Sequence, residues 1–207
     1  LVNADPASSH SYHIAINILE RAYGGLEHDN GTVIQYGWRN LSEEGGYRKL
    51  LQIIGHEYFH QWNVRRLRPK ELIVYDYDKP VLTENLWFAE GITSYFDICL
   101  PYMAGLSSEI NLYKDLSNDL SKYLQTPGLK FQSISDSSLD AWIKLYNSKP
   151  TSKETQLSYY ISGSVLSLCI DILLRLNGSS LSSLFRKIWV KYGITQIGYT
   201  RLDIKNE

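Results

Sequence analysis

Residues 56–69 read His-Glu-Tyr-Phe-His-Gln-Trp-Asn-Val-Arg-Arg-Leu-Arg-Pro, and the run His56-Glu57-Tyr58-Phe59-His60 at their head decides what the rest of the chain has to build. Tyr47, Leu50, Leu51 and Ile54 upstream share with Tyr58 and Phe59 an apolar spacing of three and four, which predicts a helix beginning at about Gly46. On a helix, positions four apart fall about 40° from alignment and about 6 Å apart along the axis. Both imidazoles therefore leave one face and can chelate one zinc ion, while Glu57 projects toward the open side of the metal, placed to take a proton from bound water. Two ordinary helix histidines satisfied by hydrogen bonds are the alternative. The helix is expected to run to about Arg66, because Pro69 disfavours continuation and Arg65, Arg66 and Arg68 suit its negative end.

Catalytic zinc takes three protein ligands and keeps a position for water, so a third ligand must come from elsewhere. A second helical pattern, from about Glu84 to Leu100 and stopping at Pro101, carries Glu90, thirty residues beyond His60. Taken alone, Glu90 reads as a solvated carboxylate. Among Trp87, Phe88, Ala89 and Ile92, however, an unpaired charge would be expensive to bury, and a metal explains it. Asp97 and Thr93 lie on the same helix face, where either could hydrogen-bond and orient a ligating imidazole; surface solvation is the alternative.

Outward from these helices the chain divides in two. The first forty residues carry β-branched and aromatic runs, Tyr12–Leu19 and Thr32–Trp38, separated by Gly24-Gly25 and Asn30-Gly31, which read as turns in a small strand-rich section. Further helices are expected at about Ser107–Leu124, Ser137–Tyr146, Leu157–Leu176 and Ser180–Tyr192, with Ser133–Ser138 as a helix-capping loop. Strands first and helices after make an α+β domain, with about 1–44 strand-rich and about 45–207 helical. A length of 207 residues suits a single domain, and 43% hydrophobic, 13% aromatic and 21% charged residues exclude collagen-like and disordered classes.

With 21 Lys+Arg against 22 Asp+Glu and a net charge of -1, no polyanion-binding surface for nucleic acid is expected. Nor is a membrane span, since the most apolar stretch, Ile161 to Leu176, is broken by Asp171 and Arg175. Cys99 and Cys169 read as small buried thiols, and His10 and His13 have no motif around them. The start, Leu1-Val2-Asn3, reads as an internal fragment or processed product. Localisation is not fixed by this end of the sequence, with a cytoplasmic setting favoured over a removed signal, and the oligomeric state is not legible.

The segment HEYFHQWNVRRLRP at 56–69, followed by LWFAEGITSYF at 86–96, resembles the glycyl aminopeptidase family of zinc peptidases, a branch of the gluzincins. The resemblance covers nearly the whole chain and implies a thermolysin-like catalytic domain, excised from a parent with a flanking N-terminal β domain and a PDZ domain. It also implies one Zn2+ held by His56, His60 and Glu90. Gly24-Gly25-Leu26-Glu27-His28 resembles the G-A-M-E-N element of the related aminopeptidase N family, which implies that Glu27, presented by Gly24 and Gly25, holds the substrate's α-ammonium group. Read alone, it is a turn with a solvated acid, and His28 stands where that element has Asn. Ser158-Tyr159-Tyr160-Ile161-Ser162-Gly163 resembles the Y-x-K-G element whose Tyr donates to the oxyanion, which aligns Tyr160 with that role and Tyr159 as the fallback. Ser162 replaces the element's Lys, putting any ion pair of that Lys in doubt.

The expected activity is a zinc aminopeptidase acting on peptides with a free N-terminus, preferring small first residues such as Gly and Ala, with Glu57 as general base. Rival readings are an aminopeptidase N-like enzyme of other specificity or an endopeptidase, a zinc-containing but inactive peptide-binding module, and a domain that carries no metal.

Overall fold

Ile34 and Tyr36, both fully buried, pack on Ile53 and join a small sheet to the helix that bears the histidines. The computed structural model describes residues 11–74, 76–147, 149, 150 and 152–207, so His10 lies outside the described residues. Strands β1 (His13–Leu19), β2 (Tyr23–His28) and β3 (Gly31–Gly37) form a sheet in the order β1-β3-β2, with β1 parallel and β2 antiparallel to β3. Gly24 and Gly25 are not in a turn. They pair with Gln35 and Ile34 inside β2, and a Cβ on Gly25 would collide with the Glu57 carboxylate, so glycine serves close approach here.

After the short helix α1 (Trp38–Ser42), α2 (Gly46–Phe59) ends seven residues earlier than the sequence predicts. Beyond it the chain turns, with Trp62 and Asn63 N–H both donating to the Phe59 carbonyl, and this brings Asn63 inward instead of along a helix. A π-helical turn, Trp87–Gly91, leads into α3 (Ile92–Met103). Pro101 lies inside α3, where it forfeits one backbone bond near the end; Ala104 N–H to Leu100 and Leu106 N–H to Pro101 close the final turns.

Helix α4 (Glu109–Leu124) is capped by Ser108, and α5 (Ile134–Leu139) by a reciprocal Ser133–Asp136 box. Helix α5 begins and ends earlier than the predicted Ser137–Tyr146. Its buried serines explain the difference: Ser137 Oγ donates to the Leu157 carbonyl, and Ser138 Oγ accepts from Trp87 N–H, so these residues tie α5 to its neighbours. Short α6 (Ser152–Thr155), long α7 (Tyr159–Leu176), α8 (Leu181–Ile188) with a π-helical turn Trp189–Gly193, and α9 (Arg201–Lys205) complete the chain.

The main core gathers Phe59, Phe88, Phe96, Leu181, Phe185 and Ile188. Helix α7 is the one helix among the described residues long and apolar enough to cross a membrane. Its Asp171 is buried, accepting bonds from Tyr95 Oη (2.7 Å), Arg175 Nε (2.7 Å) and Leu181 N–H (2.7 Å). Cys99 is half-buried, but Cys169 faces outward from α7 and is exposed, contrary to its apolar surroundings in sequence.

Helix α7 approaches the π-helical turn through Gly91 and Gly163, where a methyl on either would strike the other's backbone. Gly163→Ala is therefore expected to lower the unfolding free energy by about 1–3 kcal/mol in urea denaturation; stability equal to the parent's would show that the two helices part freely.

Candidate metal centre and cleft

The last turn of α2 and the residue that caps it present His56 and His60 with ring centroids 4.7 Å apart and planes at 88°. Glu90, on the π-helical turn, reaches between them: its Oε2 lies 3.2 Å from His56 Nε2 and 3.3 Å from His60 Nε2. One donor atom from each of the three falls within 4.8 Å of the others, so they could hold a metal ion. Two imidazoles and a carboxylate form a donor set that suits zinc and leaves a further position. His60 is sealed at 2% exposure, whereas His56 and Glu90 keep 14% and 18%, so the group opens to one side.

The far ring nitrogens are occupied. His56 Nδ1 lies 2.8 Å from Asp97 Oδ2, and His60 Nδ1 lies 2.5 Å from the Asn63 carbonyl, which directs both Nε2 atoms to the common centre. Burial opposes the charge on His56, but Asp97 and Glu90 outweigh it and hold its pKa well above the ordinary imidazole value. Burial likewise opposes ionisation of Glu90, and His60 and His56 override it, holding that carboxyl far below its usual range. Glu27, Glu57, Glu90 and Asp97 crowd two imidazoles in one partly buried place, an excess of negative charge that a divalent cation would offset.

Asn63, fully buried, goes unnoticed in the sequence reading. Its Nδ2 donates to the carbonyls of Phe88 (3.0 Å) and Ala89 (2.8 Å) and reaches Thr93 Oγ1 (3.1 Å), clamping the turn that carries Glu90 while its own carbonyl meets His60. Thr93 contacts this clamp and the Ala89 carbonyl at 2.7 Å, and no imidazole bond from it is seen among the described residues. The signal was present: an Asn three residues past His60 favours a turn over a helix interior.

Glu57 is buried, and its Oε2 accepts no hydrogen bond from the described residues. Burial lifts its carboxyl above the ordinary value; His60 and His56 oppose the rise and Glu27 adds to it. Glu27, on the edge strand β2, has a carboxylate oxygen within 4.8 Å of donor atoms of both Glu57 and His60. His28 is exposed, its Nδ1 3.2 Å from the Leu26 carbonyl, and the strand's alternation turns it away from Glu27. Arg65 pairs with Asp29 at 2.8 Å, Arg66 donates to the Asp29 carbonyl at 3.0 Å and Arg68 to the Arg65 carbonyl at 3.1 Å.

Across from β2, the first turn of α7 places Tyr160 in the wall of a cleft of about 810 Å³, which Gly24, Gly25, His56, Glu57 and Asp97 also line. The Tyr160 ring centroid is 6.5 Å from that of His56. Tyr159 stacks on it at 4.5 Å but is buried and absent from that lining, so of the two it is Tyr160 that faces the cleft. Burial, with Glu90 adding to it, raises the Tyr160 phenol far above its ordinary value and keeps its proton on. Ser162 is buried outside the cleft lining.

The family model described as M61 glycyl aminopeptidase matches residues 49–166, the span from α2 into α7. Among solved structures, a crystal structure of an aminopeptidase N family protein from Idiomarina loihiensis is similar at a TM-score of 0.91 and 33% identity, over 95% of this chain and 35% of that one. The chain thus spans about a third of that protein's length. No curated protein matches.

Proposed function

Because the chain belongs to the M61 glycyl aminopeptidase family, a family of peptidases, we propose that its cleft is the active site of a zinc-dependent aminopeptidase. The observation that carries this reading is the meeting of His56, His60 and Glu90 at one point, with a Glu57 carboxylate oxygen that has no hydrogen-bond partner among the described residues close by. In this reading His56, His60 and Glu90 hold the metal, Asp97 and the Asn63 carbonyl orient the imidazoles, and the arrangement is thermolysin-like. A zinc ion held there would supply Lewis acidity, lowering the pKa of a water toward 7 and polarising a carbonyl.

Glu57 takes the proton of the attacking water through its free oxygen and returns it to the departing amine; a carboxyl lifted by burial is suited to both transfers. Tyr160, kept protonated, donates a hydrogen bond to the carbonyl oxygen as negative charge grows there. Glu27 holds the substrate's α-ammonium from the edge of β2, and its fixed distance from Glu57 sets cleavage after the first residue. Small first residues, Gly and Ala, are the proposed preference. The likeness to a protein named for the aminopeptidase N family supports a second reading, the same chemistry with a wider choice of first residue, which a panel of amino-acid p-nitroanilides distinguishes.

Glu57→Gln is expected to keep bound zinc and lose about 10²–10⁴-fold in kcat, whereas Glu90→Ala loses zinc as well, both read by metal analysis beside the activity assay. Full turnover in Glu57→Gln would remove the general base from this account. Glu27→Ala is expected to depress cleavage of a free-amine peptide far more than any residual cleavage of its N-acetylated form. Equal losses on the two would mean that Glu27 does not hold the amine.

A further inference from the structure

The phenol oxygens of three tyrosines meet at the cleft, with Tyr146 and Tyr160 in its wall and Tyr159 buried behind them. Tyr146 Oη lies 2.9 Å from that of Tyr160 and 3.1 Å from that of Tyr159. Each phenol has one proton to donate and lone pairs with which to accept. If Tyr160 gives its proton to an oxygen in the cleft, it meets Tyr146 as an acceptor, and Tyr146, having donated to Tyr160, accepts from Tyr159. The order Tyr159 to Tyr146 to Tyr160 to substrate is the arrangement that uses each proton once. Hydrogen bonds in such a chain polarise one another, so the last donor is strengthened by those behind it.

Both phenols behind Tyr160 are held. Tyr159 is 1% exposed, and its ring lies 4.5 Å from that of Tyr160 at 26°. Tyr146, in the turns after α5, stacks on Trp142 at 5.0 Å and 25°, and Trp142 Nε1 donates to the Val81 carbonyl at 3.1 Å. Tyr146 also lines the cleft beside Tyr160.

We propose that Tyr146 is a positioning residue that orients and polarises the Tyr160 hydroxyl through this relay; the inference rests on the reading of Tyr160 as the oxyanion donor. Tyr146 is 56% exposed and Tyr146→Phe keeps the ring stack, so the variant folds and removes only the bridging hydroxyl.

The test is steady-state hydrolysis of alanine p-nitroanilide by Tyr146→Phe, Tyr160→Phe and the double variant. It is run beside calorimetric binding of a phosphinic Gly-Ala analogue whose tetrahedral oxygens mimic the oxyanion. Tyr160→Phe is expected to lower kcat by about 10²–10³-fold. Tyr146→Phe is expected to lower kcat by about two- to tenfold, with KM unchanged and analogue Kd raised by the same factor. The double variant is expected to be no slower than Tyr160→Phe alone, because Tyr146 acts through Tyr160. Parental kcat in Tyr146→Phe, a raised KM with intact kcat, or losses that multiply in the double variant would each overturn the relay. Parental kcat in Tyr160→Phe would instead overturn the oxyanion assignment itself.

Discussion

One carboxylate oxygen, Glu90 Oε2, stands between two imidazole nitrogens at 3.2 and 3.3 Å, and the helical part of the molecule is arranged to keep it there. The partners belong to segments thirty residues apart, so no local propensity brings them together. A π-helical turn carries Glu90, a conformation that departs from the ordinary helical ladder and recurs at functional sites. Asn63 holds the carbonyls of that turn from one side, and the glycine pair Gly91 and Gly163 lets α7 close on it from the other. Breaking any of these supports leaves charged groups buried without partners, which costs far more than a surface pair of the same residues would.

Two sides of this centre differ in chemistry. On the sheet side, β2 brings Glu27 beside Glu57 and His60, and Gly25 allows the backbone to lie against the Glu57 carboxylate. On the helix side, the first turn of α7 presents a protonated phenol backed by two more. A carboxylate on the sheet side and a phenol on the helix side thus both lie near the histidines. In the proposed reading the first receives the substrate's amine and the second the charge that develops on its carbonyl oxygen.

Much of this was legible in the sequence because it is periodic or compact. His56, Glu57 and His60 lie within five residues, and Glu90 is betrayed by a charge inside an apolar run. The α+β order followed from β-branched runs giving way to spacings of three and four. What escaped reading depends on long-range contacts. Helix α2 ends at Phe59 and Asn63 turns inward to bond the Ala89 carbonyl; Asn63 itself favours a turn, but its distant partner is not marked in the sequence. Gly24-Gly25 looked like a turn but lies in a strand, where the missing side chain of Gly25 makes room for a residue some thirty positions away. Pro101 looked like a stop but falls close enough to the end of α3 to be absorbed. Tyr146, one of 16 tyrosines in an irregular stretch, carries no mark until its hydroxyl is found against that of Tyr160.

The most direct test of the central claim is elemental analysis of the purified protein, coupled in one sample to hydrolysis of glycine and alanine p-nitroanilides with and without a chelator. The account predicts one zinc ion per chain, release of p-nitroaniline that a chelator abolishes, and recovery when zinc is returned. Protein without metal, or hydrolysis indifferent to its removal, would contradict it.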